Sequence, residues 1–279
     1  MLKWSLCSTG FKDRNIEEVI LLADHLGLQG VEIWTGHIRD YLDRNGSLAT
    51  LGRLLQRVQL SVPAVSGYTY FSKGEQEQEE SLASVRQAME WAGELDCPLI
   101  RTFAGHTPSR EVTGEEWRSV IAGLKQVMET AESYQVNLGL ELHNNTCADR
   151  IESVRSLLSE VDHPRLRLIF DGFNLFLEGT DQMEAWDALH PWVDHIHLKN
   201  YLWNWEDWQK SIPTSIFAGD VDHRLLVGEL QRIDYPGFVS FEYFGDRSEQ
   251  HIRNSMVEME QSRNKHGNKK GEMRDENSR

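Results

Sequence analysis

The chain has 279 residues, 39 % of them hydrophobic, which is close to the length of one (β/α)8 barrel and enough for a large core. Its 29 basic and 44 acidic residues give a net charge of −15, which argues against nucleic acid as a partner. Three scattered cysteines without a CxxC pair, no apolar leader and no bilayer-length apolar run point to a reduced, cytoplasmic protein with no membrane partner.

Eight short apolar runs follow one another along the chain: Leu2–Cys7, Gly30–Trp34, Leu60–Val65, Leu99–Phe103, Asn137–Leu142, Leu166–Asp171, Val193–Leu198 and Gly237–Glu242. Each is rich in Val, Ile, Leu or Phe, as expected of parallel strands buried on both faces. Between them, apolar residues recur at three and four positions over Asn15–Leu26, Ser81–Leu95, Trp117–Tyr134 and Arg150–Val161, the period of helices. Thr113 and Glu116 make a capping box before the third of these, and Gly27 and Gly30 punctuate the end of the first. Strand and helix in alternation predict an α/β fold, a (β/α)8 TIM barrel, as a single domain over 1–261. No glycine-rich phosphate turn supports the rival, a doubly wound open sheet. Residues 262–279 are almost wholly charged, polar or Gly and read as a disordered tail. Trp203, Trp205 and Trp208 fall in a loop after the seventh run, where they would serve as a lid or as a contact between copies of the chain.

Active sites of such barrels lie where the strands end. The fifth run carries Glu141 next to its end with His143 just beyond, the sixth ends on Asp171, the seventh carries His197 next to its end with Lys199 just beyond, and the eighth ends on Glu242. Singly, each is a solvated or ion-paired side chain. Together, three carboxylates at one mouth repel one another unless something positive sits among them. One divalent metal ion bound by Glu141, Asp171, His197 and Glu242 answers that need; three oxygens and one imidazole suit Mn²⁺, Mg²⁺, Zn²⁺ or Co²⁺. His143 and Lys199 point the same way as the ligands and are candidates for substrate contact. His106 after the fourth run and Glu32 in the second are candidates to line the pocket, with a structural hydrogen bond as the competing role. His195, one layer deeper than His197, is expected to be a packed core residue. Trp203 is a candidate floor or cover for a sugar-like ring.

The motifs Leu140-Glu141-Leu142-His143-Asn144, Phe170-Asp171-Gly172-Phe173-Asn174, His195-Ile196-His197-Leu198-Lys199 and Gly237-Phe238-Val239-Ser240-Phe241-Glu242 resemble the sugar phosphate isomerase/epimerase family, the xylose-isomerase-like barrels that include tagatose and psicose 3-epimerases. Ala218-Gly219-Asp220-Val221-Asp222 adds to the likeness. The resemblance implies that Glu141, Asp171, His197 and Glu242 bind the metal and that Glu141 and Glu242 also form an acid/base pair. One departure is Asn174, where many members carry a substrate-contacting His; Asn174 takes that place as a candidate for substrate contact. The implied activity is a metal-dependent isomerase or epimerase of a sugar, sugar phosphate or polyol ketone, working by proton abstraction beside the carbonyl through an enediolate. A dehydratase of the inosose or dehydroshikimate type is the alternative, since it begins with the same proton abstraction. An abasic-site endonuclease or a non-catalytic binding barrel stands further off, because −15 suits no DNA face.

Overall fold

Pro63 breaks the third apolar run, and the barrel is built around that interruption. The computed structural model describes residues 1–261; the tail read as disordered, 262–279, lies outside the described residues. The strands are β1 (Lys3–Cys7), β2 (Gly30–Trp34), β3 (Val65–Ser66), β4 (Leu99–Thr102), β5 (Asn137–Glu141), β6 (Leu166–Asp171), β7 (Val193–Leu198), β8 (Tyr201–Leu202), β9 (Ile212–Pro213) and β10 (Phe238–Phe241). Eight of them close in the order β1-β10-β7-β6-β5-β4-β3-β2, all parallel, and β1 pairs with β2 to complete the ring. This is the (β/α)8 barrel the alternating pattern predicts.

The third strand departs from the expected Leu60–Val65. Only Val65 and Ser66 pair with β2 and with β4, and Ser61 makes an isolated bridge to Gly30. Pro63 has no N–H to donate, so the ladder cannot run through it.

The helices are α1 (Ile16–His25), α2 (Thr35–Asn45), α3 (Ala49–Arg57), α4 (Gly74–Glu94), α5 (Gly114–Tyr134), α6 (Ile151–Val161), α7 (Gly172–Leu177), α8 (Gln182–Leu189) and α9 (His223–Arg232), with a further helix over residues 248–261. Asn15 caps α1 and Thr113 caps α5, each in a reciprocal capping box with the Glu three residues on. Gly27, at φ +70°, ends the first helix in a conformation that Cβ-bearing residues avoid. α4 starts seven residues before the periodic stripe at Ser81, because its first two turns are Gly, Glu and Gln, which carry no apolar signal. The loop expected over residues 201–208 is instead the start of an antiparallel hairpin, β8–β9, with Tyr201 opposite Pro213 and Leu202 opposite Ile212. No helix among the described residues is long and apolar enough to cross a membrane.

Candidate active site

Each of four strands brings one carboxylate or imidazole, on it or directly after it, to the same end of the barrel. β5 closes on Glu141 and β6 on Asp171; His197 is the penultimate residue of β7, and Glu242 follows β10 directly. All four are buried, and one ligand atom from each lies within 4.8 Å of the others. The register explains the convergence: Asp171 pairs with His197, and His197 with Ser240 two residues before Glu242.

Two cations hold the carboxylates apart. Arg101 of β4 places Nε 2.8 Å from Glu141 Oε2 and a terminal nitrogen 2.8 Å from Glu242 Oε1. Lys199 Nζ sits 2.7 Å from both Asp171 Oδ2 and Glu242 Oε2. The other Asp171 oxygen accepts from the Phe173 and Asn174 N–H groups at the start of α7. Asn174 Nδ2 donates to the Leu142 carbonyl at 3.1 Å and reaches Glu141 Oε1 at 3.4 Å. Asn174 therefore braces a proposed metal-binding carboxylate.

The fields follow from this geometry. Burial pushes Glu141 up, but Arg101 and His197 outweigh it and hold its carboxyl well below the usual range. Burial raises Asp171, and although Lys199 pulls it back, Glu242 and Glu141 add to the rise. For Lys199, burial works against the charge and the carboxylates of Asp171 and Glu242 more than restore it. Burial likewise lowers His197, yet Glu32, Glu242 and Glu141 together raise it well above its ordinary value. A site that draws a proton so strongly onto its imidazole favours positive charge at that point.

A divalent ion fits these residues. His197 Nδ1 is buried without a hydrogen-bond partner and lies 3.5 Å from Glu141 Oε1 and 3.6 Å from Glu242 Oε1. Three carboxylates and one imidazole nitrogen form a donor set suited to a hard or borderline cation.

The remaining candidates lie around this cluster. His143 packs edge-on against Phe103, with Nδ1 hydrogen-bonded to the Asn144 carbonyl. His106 stacks on Tyr70 and bonds Glu77 through Nε2, the structural contact weighed for it. Trp203 sits edge-on to Phe173, two residues past Asp171. His195 is buried with Nε2 2.9 Å from Glu32 Oε2, and Glu32 lies inside the barrel with the charged cluster. Arg101 is the residue that sequence reasoning missed. Its signal was a basic residue within the apolar run Leu99–Phe103, where no solvated face exists to receive it. Its guanidinium also lies over the Tyr68 and Phe103 rings, at 5.2 and 5.0 Å.

Residues 20–263 match the xylose isomerase-like TIM barrel family, and the chain belongs to it. Among characterised relatives, the 3-dehydroshikimate dehydratase of Bacillus anthracis is 26 % identical over 270 residues, covering 91 % of this chain and 95 % of that one. The fructoselysine 3-epimerase of Escherichia coli O157:H7 is 24 % identical over 208 residues, covering 71 % and 76 %. Among solved structures, the IolI protein with a bound zinc atom superposes with a TM-score of 0.78 at 19 % identity, covering 92 % of this chain and 96 % of that one. The relatives are thus enzymes of two kinds, a dehydratase and an epimerase, on one fold.

Proposed function

We propose that the chain is a divalent-metal-dependent dehydratase of a β-hydroxy ketone, of the 3-dehydroshikimate type. The observation that carries this reading is the asymmetry of the carboxylate pair. Glu141 and Glu242 both face His197 Nδ1 and both pair with Arg101, but Lys199 stands beside Glu242 and Asp171 only. Elimination needs unlike partners: a base for the proton beside the carbonyl and a donor for the departing hydroxyl. Glu141 is the base, held ionised by Arg101. Lys199, held charged between Asp171 and Glu242, is the donor. The departing hydroxyl takes a proton from Lys199 and leaves as water, and the proton taken by Glu141 is given up to solvent as Lys199 regains one, so each turnover releases one water. A bound divalent ion would polarise the carbonyl as a Lewis acid. The similarity to the Bacillus anthracis dehydratase over 91 % of the chain supports the same reading.

Epimerisation is the second reading. It is favoured by the placement of Glu141 and Glu242 on strands that bracket those of Asp171 and His197, so that a ligand held among them has a carboxylate on either side. The test is turnover in heavy water with 3-dehydroshikimate, inososes and ketoses at saturating metal. Dehydration produces a conjugated product with new ultraviolet absorbance, and Glu141→Gln should lower its rate on the order of 10²-fold or more. Deuterium entry with inversion and no absorbance change would select the epimerase. No reaction with any of these ketones overturns both.

A further inference from the structure

Glu32 belongs to neither the proposed ligand set nor the proton chemistry, yet it is fully buried in the middle of the barrel. It comes from β2, away from the strands that carry the four ligands. Its Oε2 lies 2.9 Å from His195 Nε2 and 2.8 Å from His197 Nε2. Its Oε1 accepts from the Ser66 hydroxyl and lies 3.6 Å from the Arg101 guanidinium. Both oxygens are therefore fixed by partners from four other positions around the barrel wall.

We infer that Glu32 is a positioning residue that locks His197 in the tautomer protonated at Nε2, so that Nδ1 is the atom presented to the metal. The inference rests on the metal reading of the Glu141, Asp171, His197 and Glu242 cluster. An imidazole that gives one nitrogen to a metal carries its single N–H on the other, and an ionised carboxylate can only accept. Facing Glu32, the proton must stand on Nε2. The free lone pair then stands on Nδ1, the nitrogen without a hydrogen-bond partner that points at Glu141 and Glu242. Three side chains hold the lock in place. Ser66 ties down the far oxygen, His195 shares the near one, and the Arg101 guanidinium stands 3.6 Å from the far one. Carboxylates that orient a metal-binding His in this way commonly alter affinity 10–100-fold when removed.

Zinc binding by the full chain, measured by competition with a chromophoric chelator, tests this. Glu32→Gln keeps the shape but offers N–H as well as oxygen, so neither tautomer is enforced. Its zinc affinity should fall about 10–100-fold while its circular dichroism and zinc-free melting temperature stay near wild type. Ser66→Ala, which frees one oxygen of Glu32, should weaken zinc by a smaller factor. Nitrogen-15 spectra of the zinc-loaded wild type give a readout that needs no variant: His197 should carry zinc on Nδ1 and a slowly exchanging proton on Nε2. Unchanged zinc affinity in folded Glu32→Gln overturns the inference, and so does zinc on Nε2 in the wild type. If the wild type binds no zinc, Mn²⁺, Mg²⁺ or Co²⁺, the metal reading falls and takes this role with it. Normal wild-type binding with an indifferent Glu32→Gln removes the role alone.

Discussion

A single buried imidazole, His223 at the start of α9, shows how the site's scaffold responds to acid. Its Nε2 lies 2.9 Å from the Lys199 carbonyl, beside the Gln182 side chain, and burial takes its pKa down to about 4. The folded value lies below the ordinary 6.5, so the unfolded chain binds the proton first. Nothing is lost above pH 6.5; below it, stability falls by about 1.4 kcal/mol per pH unit until about pH 4. Denaturant titrations of wild type and His223→Asn across this range should diverge by that slope. Parallel profiles would mean that His223 charges freely in the folded protein. What the sequence conveys at this scale is uneven. The grouping of Glu141, Asp171, His197 and Glu242 was legible because each stands at or near the end of an apolar run, and four such ends meet at one mouth of a barrel. Arg101 was not, because its partner Glu242 is 141 residues away and nothing local marks the pair. The lock on His197 was equally hidden: Glu32 is 165 residues from it.

At the scale of elements, the hairpin β8–β9 is the part of the rim that departs most from a plain barrel. Asn200 ties it down, donating to the Ile216 and Val221 carbonyls and accepting from the Tyr201 and Val221 N–H groups. A Cβ at Gly219 would lie 2.2 Å from the Asn200 oxygen, so the Ala218-Gly219-Asp220 turn depends on that glycine. Trp205 and Trp208 are 66 % and 67 % exposed, whereas Trp203 leans inward on Phe173. Trp203→Ala should therefore raise KM several-fold with kcat held, the pattern of lost uniform binding. An unchanged KM with a change in oligomer size would assign the hairpin to contacts between copies of the chain. The hairpin was invisible beforehand because strands of two residues leave no periodic trace. α2 was missed for a related reason: it buries Thr35, Gly36 and His37 alongside Ile38 and Tyr41, which is no apolar stripe.

For the molecule as a whole, the barrel wall is unequal around its circumference. β4 to β7 and β10 are joined by four paired residues at each junction, but β3 holds to β2 and to β4 by two apiece. Native-state hydrogen exchange should find the Ile33 and Gly67 amides, which cross these thin junctions, opening well before those of β5 and β6. Uniform protection around the ring would show that helix packing, rather than strand pairing, governs opening. The alternating pattern of the sequence made the ring legible but not this inequality, which turns on one proline.

That proline divides the cylinder into a fully laced part and a thinly laced one. Glu141, Asp171, His197 and Glu242 all stand on or beside the well-laced staves. Tyr68 and Tyr70, which together with Phe103 form an aromatic wall, follow the loosely laced one. Tolerance to change is thereby sorted by location. Side chains that would meet the body of a substrate are freer to shift or be exchanged on the thinly laced side, while the spacing of the proposed ligand atoms is guarded on the other. A lineage built on this plan can alter what it accepts without first unmaking how it reacts.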